Sequence, residues 1–183
     1  TSRRVLGFAV AITAPLCAFA GNVAKDTPLD AEQAFEAMKS LEGTWKGEAI
    51  VVPVGQTMED GVKSDTTVTY EVIANGSSLV ATYAKGKPME MVSLFHQDGP
   101  EQLVHTHYCA VGNQPEMRFE KSEKPGEIIF MFSKGSNMDV EKDGHVHNSR
   151  IRFIDDDTVE SETDLWRDGK LSAVRYTKMT REK

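Results

Sequence analysis

A chain of 183 residues, 39% hydrophobic and 27% charged, has enough apolar mass for one domain with a real core and too little for two. Its formal charge of −7 at pH 7, with no basic run, disfavours nucleic acid and anionic lipid surfaces as partners. Residues 1–20 hold two arginines and no acid, so the remainder, 19 basic against 28 acidic, stands at −9.

The first stretch reads as a cleaved secretory signal. Arg3 and Arg4 begin it, Val5 to Ala14 are almost wholly apolar, and Ala18-Phe19-Ala20 supplies a small-x-small cleavage pattern. The apolar run is too short to span a bilayer, so no integral membrane segment is expected after cleavage. Sec and twin-arginine export both fit this start. The expected destination is the periplasm or the exterior, with Gly21 as first mature residue. Cys109 is then the one remaining cysteine, and no intrachain disulfide can form.

Residues 21–42 read as a polar leader followed by a short helix. Thr27 is placed to cap it and Pro28 to occupy its first position. Ala31, Ala34, Phe35, Met38 and Leu41 recur at helical spacing, and Gly43 stops the run. A lone amphipathic helix before a β-rich stretch lids or plugs something.

From residue 43 to 183 the pattern alternates with period 2 between turn signals. Strands are expected near 44–52, 66–74, 78–84, 89–96, 102–110, 115–121, 127–134, 145–154, 158–167 and 170–180. Asn75-Gly76, Lys85-Gly86, Asp98-Gly99, Pro125-Gly126 and Asp168-Gly169 punctuate them. Residues 53–65 and 135–144 form longer connections. A sequential meander of about ten strands must hide two edges, and closing into an up-and-down barrel hides both. The expected fold is therefore all-β: a roughly ten-stranded antiparallel barrel with one short N-terminal helix.

Leu41-Glu42-Gly43-Thr44-Trp45-Lys46-Gly47 resembles the G-x-W start of lipocalins and related calycin barrels. The resemblance implies that Trp45 packs across the barrel floor and that an arginine of the last strand covers it, with Arg175 as the match. The same segment resembles nitrobindin-type haem-binding barrels, although no histidine follows His147 where those carry a haem ligand. Thr106-His107-Tyr108-Cys109, Gly112-Asn113-Gln114-Pro115, His145-Val146-His147 and Asp155-Asp156-Asp157 resemble a group of secreted bacterial calycin-like proteins of unknown function. That likeness implies a fold and a compartment and assigns no activity.

The chemistry-bearing residues gather in two stretches. As a strand, Leu103 to Cys109 sets His105, His107 and Cys109 on one face, and His145 and His147 share a face with Ser149, Ile151 and Phe153. If both faces point inward, His107, Cys109, His145 and His147 would make a tetrahedral N/S site for zinc or copper. The other reading is a ligand-binding interior for a small, mainly apolar molecule, lined by His105, His107, Tyr108, Cys109, Gln114, His147 and Trp45. An enzyme using the same cluster is a third, without a nameable substrate. Glu160, Glu162 and Asp164 alternate along one strand; an interior acid face would be costly without partners such as Arg150 or Arg152 on the preceding strand, and an outward, solvated face is expected.

Overall fold

The computed structural model describes residues 27–183. The expected signal segment and most of the leader lie outside these residues.

A helix, α1, spans Ala31–Lys39. Asp30, rather than Thr27, caps it: Gln33 N–H donates to Asp30 at 2.8 Å, and the Gln33 side chain accepts from Asp30 N–H at 3.1 Å. This reciprocal box ties up two amides that the first turn leaves without partners. The shift has a packing reason, because Leu29 is 1% exposed and must enter the core just ahead of the cap.

Ten strands follow: β1 (Gly43–Pro53), β2 (Val62–Ile73), β3 (Ser78–Tyr83), β4 (Met91–Gln97), β5 (Leu103–Tyr108), β6 (Gln114–Glu120), β7 (Glu127–Ser136), β8 (His145–Asp155), β9 (Thr158–Arg167) and β10 (Lys170–Arg181). Each pairs antiparallel with its chain neighbours, and β1 pairs with β10 from Trp45↔Arg181 to Pro53↔Ala173. The barrel is closed, so neither terminal strand leaves a free edge. The loop expected over 53–65 is shorter than its polar composition implies, because Val62 to Asp65 already pair with Val51 to Glu48. At the Asp168-Gly169 hairpin both residues have positive φ, 53° and 67°, which matches the twist of the flanking strands.

Period-2 alternation fills the lower half of the lumen. Trp45, Val68, Leu79, Ala81, Phe95, Leu103, Met117, Ile128, Phe130 and Val159 are buried there. Leu29, Ala34, Phe35, Met38 and Leu41 join the same cluster, so α1 closes that end as a plug. By topology the β1–β2, β3–β4, β5–β6, β7–β8 and β9–β10 connections all lie at the other end.

Candidate functional site

Above the plug the inward positions turn polar. Ser93 on β4 is fully buried, and its hydroxyl is 2.8 Å from His105 Nε2 and 3.0 Å from His107 Nδ1 on β5. Tyr83 on β3 lies close enough to Ser93 for the hydroxyl to act on its titration. A hydroxyl offers one donor and two acceptor positions, and the two imidazoles occupy two of Ser93's three. The register Ser93↔His107 and Phe95↔His105 explains the grouping, since directly opposed residues share a face. His105 stacks on Phe95 at 4.3 Å between ring centroids and meets Phe130 edge-on at 5.2 Å. Its Nδ1 is buried without a hydrogen-bond partner.

Arg175 of β10 reaches into this cluster from across the lumen. It lies between Ala173 and Thr177, both buried, so period 2 turns it inward. One Nη donates to Thr66 Oγ1 on β2 at 3.1 Å. The guanidinium is close enough to Tyr70, Tyr83 and His107 to act on their titration. Burial, then the neighbouring His107, holds His105 well below the ordinary imidazole value. Burial, then the Arg175 charge, brings His107 down to about 4. Burial raises both Tyr70 and Tyr83 above 10, with Arg175 opposing. At neutral pH the cluster thus holds neutral imidazoles, neutral phenols and one guanidinium.

Val51, Thr66, Tyr83, Met91, Thr163, Leu165 and Arg175 are all partly exposed, although each is in phase with buried inward residues of its strand. The inward residues are thus fully packed in the lower half, and several keep some accessible surface toward the unplugged end.

His145 and His147 form a separate group. His145 Nε2 is 3.1 Å from His147 Nδ1, and His145 Nδ1 is 2.9 Å from the Asp143 carbonyl. His147 is sandwiched between Trp166, at 3.8 Å, and Phe132, at 4.5 Å. The shared inward face expected for this pair does not survive the register. β8 bulges between Val146 and Asn148, so Val146, opposite Leu165, takes the inward phase and His145 lies opposite Trp166. Among the described residues no three His, Cys, Asp or Glu side chains are grouped to hold a metal ion. The set His107, Cys109, His145 and His147 is accordingly not assembled for zinc or copper, and Nδ1 of His107 is committed to Ser93.

The remaining candidates are placed as follows. Cys109 is partly buried just beyond β5, with its thiol 3.8 Å from the Met91 sulfur. Tyr108 is 46% exposed and one residue out of phase with the inward histidines, which removes it from the lumen. Gln114 donates to the Gly112 carbonyl at 2.7 Å and accepts from Ser136, so it staples the β5–β6 turn to β7. Trp45 is fully buried in the plug, with Nε1 donating to Leu41 O at 2.7 Å. Arg181, not Arg175, covers its ring at 4.4 Å. Tyr70, Tyr83, Ser93 and Thr66 were not singled out from the sequence. Their signal was a polar residue in phase with apolar ones, such as Ser93 before Phe95.

Closed, plugged at one end by a helix and lined midway by a neutral hydrogen-bonded cluster beside one arginine, the molecule is a small antiparallel β-barrel. No protein-family model and no curated protein sequence matches the chain. It is similar in structure to a protein of unknown function from the DUF3598 family of Nostoc punctiforme, at a TM-score of 0.56 and 14% identity. That match covers 79% of this chain and 49% of the other, so the chain spans about half the length of that relative. Two designed proteins are also similar. One is a redesigned β-barrel, with a TM-score of 0.42, 10% identity and coverage of 80% and 96% of the two chains. The other is a de novo fluorescence-activating β-barrel, with a TM-score of 0.40, 13% identity and coverage of 80% and 97%. Among the described residues no helix is long and apolar enough to cross a membrane.

Proposed function

We propose that the chain is an exported barrel that takes a small, mainly apolar molecule into its upper lumen. The observation that carries this reading is the contrast between the fully buried inward residues of the lower half and the partly exposed inward residues of the upper half. Val51, Met91, Leu165 and Ala173 would supply apolar wall, while the partly exposed Thr66, Tyr83 and Thr163 would supply polar contacts. Such a mixture, mostly apolar with a few convergent polar groups, is the usual make-up of a small-molecule site. Val54, Val62, Met89 and Val111 are exposed large apolar residues at the same end, where an apolar ligand would enter. Export rests on the signal-like character of residues 1–20.

The test uses a neutral apolar fluorophore, N-phenyl-1-naphthylamine. Saturable binding at one probe per chain, abolished by filling the upper lumen with Thr163→Trp, is the expected result. Absence of saturable binding, or equal binding by the filled variant, overturns the reading.

A further inference from the structure

We propose that the ligand is an amphipathic monocarboxylate whose head group is held by Arg175, with Thr66, Tyr70 and Tyr83 around it. This rests on the upper-lumen reading and names the ligand class for it.

The argument begins with charge pairing. Arg118, Arg150 and Arg152 each pair with at least one carboxylate on the outside of the barrel, and Arg181, over Trp45 at the plugged end, pairs with Asp157. Among the described residues Arg175 turns into the lumen at mid-barrel, and no carboxylate of these residues pairs with it. A guanidinium has five N–H donors in a planar fork. Thr66 Oγ1 takes one of them. A cation set among protein walls without a counter-charge is unfavourable unless an anion arrives to pair with it.

The neighbours do not supply that anion. Tyr70 is 5% exposed and Tyr83 lies beside it in the lumen, and burial keeps both phenols protonated. His107 is buried and neutral. The neighbourhood therefore offers one fixed positive charge and several neutral hydroxyls. That balance suits a monoanion, and a carboxylate matches the guanidinium fork with two parallel hydrogen bonds. A phosphate dianion would leave one negative charge uncompensated in the same space. Apolar side chains in phase with Arg175, from Ala173 and Leu165 to Val51 and Met91, line the way to the mouth. They suit a hydrocarbon portion above the head group.

The experiment compares 11-(dansylamino)undecanoic acid with its methyl ester, on the full chain and on Arg175→Met and Arg175→Lys, by fluorescence titration at pH 7.5. The acid is expected to bind the natural chain at least about thirty-fold tighter than the ester, the scale of a desolvated charge pair. Arg175→Met should erase that preference and leave ester affinity unchanged, and Arg175→Lys should restore part of it. Equal affinity for acid and ester in the natural chain, or an acid preference that persists in Arg175→Met, overturns the inference and leaves the upper-lumen reading standing. No binding of either probe overturns both. Should Arg175→Met fail to fold, carboxyl-13C dodecanoic acid bound to the natural chain gives the answer by NMR. A bound carboxyl titrating below the free acid supports the pairing, and one at or above it refutes the pairing.

Discussion

The guanidinium of Arg181 lies 4.4 Å over the Trp45 ring and joins the barrel's last strand to its plug. The same side chain donates to the carbonyls of Glu42 at 2.7 Å and Ser40 at 2.8 Å, where α1 runs out of partners. A cation at a helix C-terminus is favoured by the helix dipole, and stacking on indole adds to it. Arg181→Ala should lower unfolding free energy by about 2 kcal/mol, from charged hydrogen bonds and the lost stack together. Urea titration checks it. A change within error would mean that the plug holds without this clamp.

Ser93→Ala removes one oxygen and strands two imidazoles. His105 Nε2 and His107 Nδ1 would each lose a hydrogen bond in a buried place. Leaving buried polar groups unmatched costs about 1–3 kcal/mol per group, so a total loss of about 3 kcal/mol is expected after partial relaxation. The comparison is Ser77→Ala, whose hydroxyl bonds an exposed turn carbonyl and should matter little. Equal midpoints for the two variants in urea would contradict the hub role.

The interior imidazoles make stability depend on pH in a definable window. In the unfolded chain His107 takes a proton near 6.5, and in the folded chain only near 4. Between those values the unfolded state binds more protons, so stability falls as pH drops through the window and is fully retained above it. The gap corresponds to about 3 kcal/mol for His107, and His105 acts in the same direction. His107→Gln should flatten the slope between pH 6.5 and 4. Paired carboxylates such as Glu160 lose their stabilising charge lower down, so the difference between the two chains isolates the imidazole. Parallel pH profiles from equilibrium unfolding would defeat the prediction.

Most of the fold was legible because strands bury one face and the turns carry glycine. Phe130 and Ile128 on one face of β7, or Val68 and Tyr70 on β2, announce the interior by alternation alone. The helix start was less legible. Thr27-Pro28 is a strong local signal, but Leu29 is claimed by the core, and the Asp30/Gln33 box wins where the chain emerges from it. Tertiary burial outranked local propensity there.

The site was legible only up to the first bulge. His105 and His107 sit on an unbroken strand, so their shared face could be read directly. His145 and His147 straddle the phase slip between Val146 and Asn148, and one extra residue undoes a period-2 argument. Arg175 was misplaced for a different reason. Two arginines of β10 share its parity, six residues apart, and only the β1–β10 register puts Arg181 beside Trp45 and Arg175 beside Val51.

The acid face of β9 is outward, as its composition implied, and pairs across to β8. Glu162 meets Arg150 at 2.8 Å and Glu160 meets Arg152 and Lys178. These pairs are exposed enough for solvent to screen them, so Arg152→Ala should cost less than about 1 kcal/mol and less still in high salt. Glu127 differs: it is 4% exposed, accepts from Ser122 Oγ and lies 3.5 Å from Arg150. Glu127→Ala should cost about 2–3 kcal/mol, because a buried hydrogen-bonded charge is lost and its donors are left unmatched. Thermal unfolding of the two variants ranks them. The reverse order would refute the division between screened ladder and buried anchor.

Gly47 explains why the opening motif ends in glycine. A Cβ built at this position would lie 1.9 Å from the Lys178 carbonyl oxygen and 2.8 Å from the Met179 Cα, both backbone atoms of β10. Backbone cannot swing aside as a side-chain tip can, so any larger residue must push β1 away from β10. That seam closes the barrel through Gly47↔Met179 and its neighbours, and its opening would create the strand edges that closure removes. Gly47→Ala should therefore cost about 3 kcal/mol or more, the upper range for forcing extra volume into a packed site. Gly76→Ala, with nothing within 4 Å but φ of 87°, should pay mainly for its backbone conformation, about 1–2 kcal/mol. Hydrogen exchange would separate the two: Gly47→Ala should lower protection at the β1 and β10 amides, from Trp45 to Val52 and from Val174 to Arg181. Gly76→Ala should leave that seam intact. Undiminished protection along the seam in Gly47→Ala would show that the two strands can separate locally without weakening the closure.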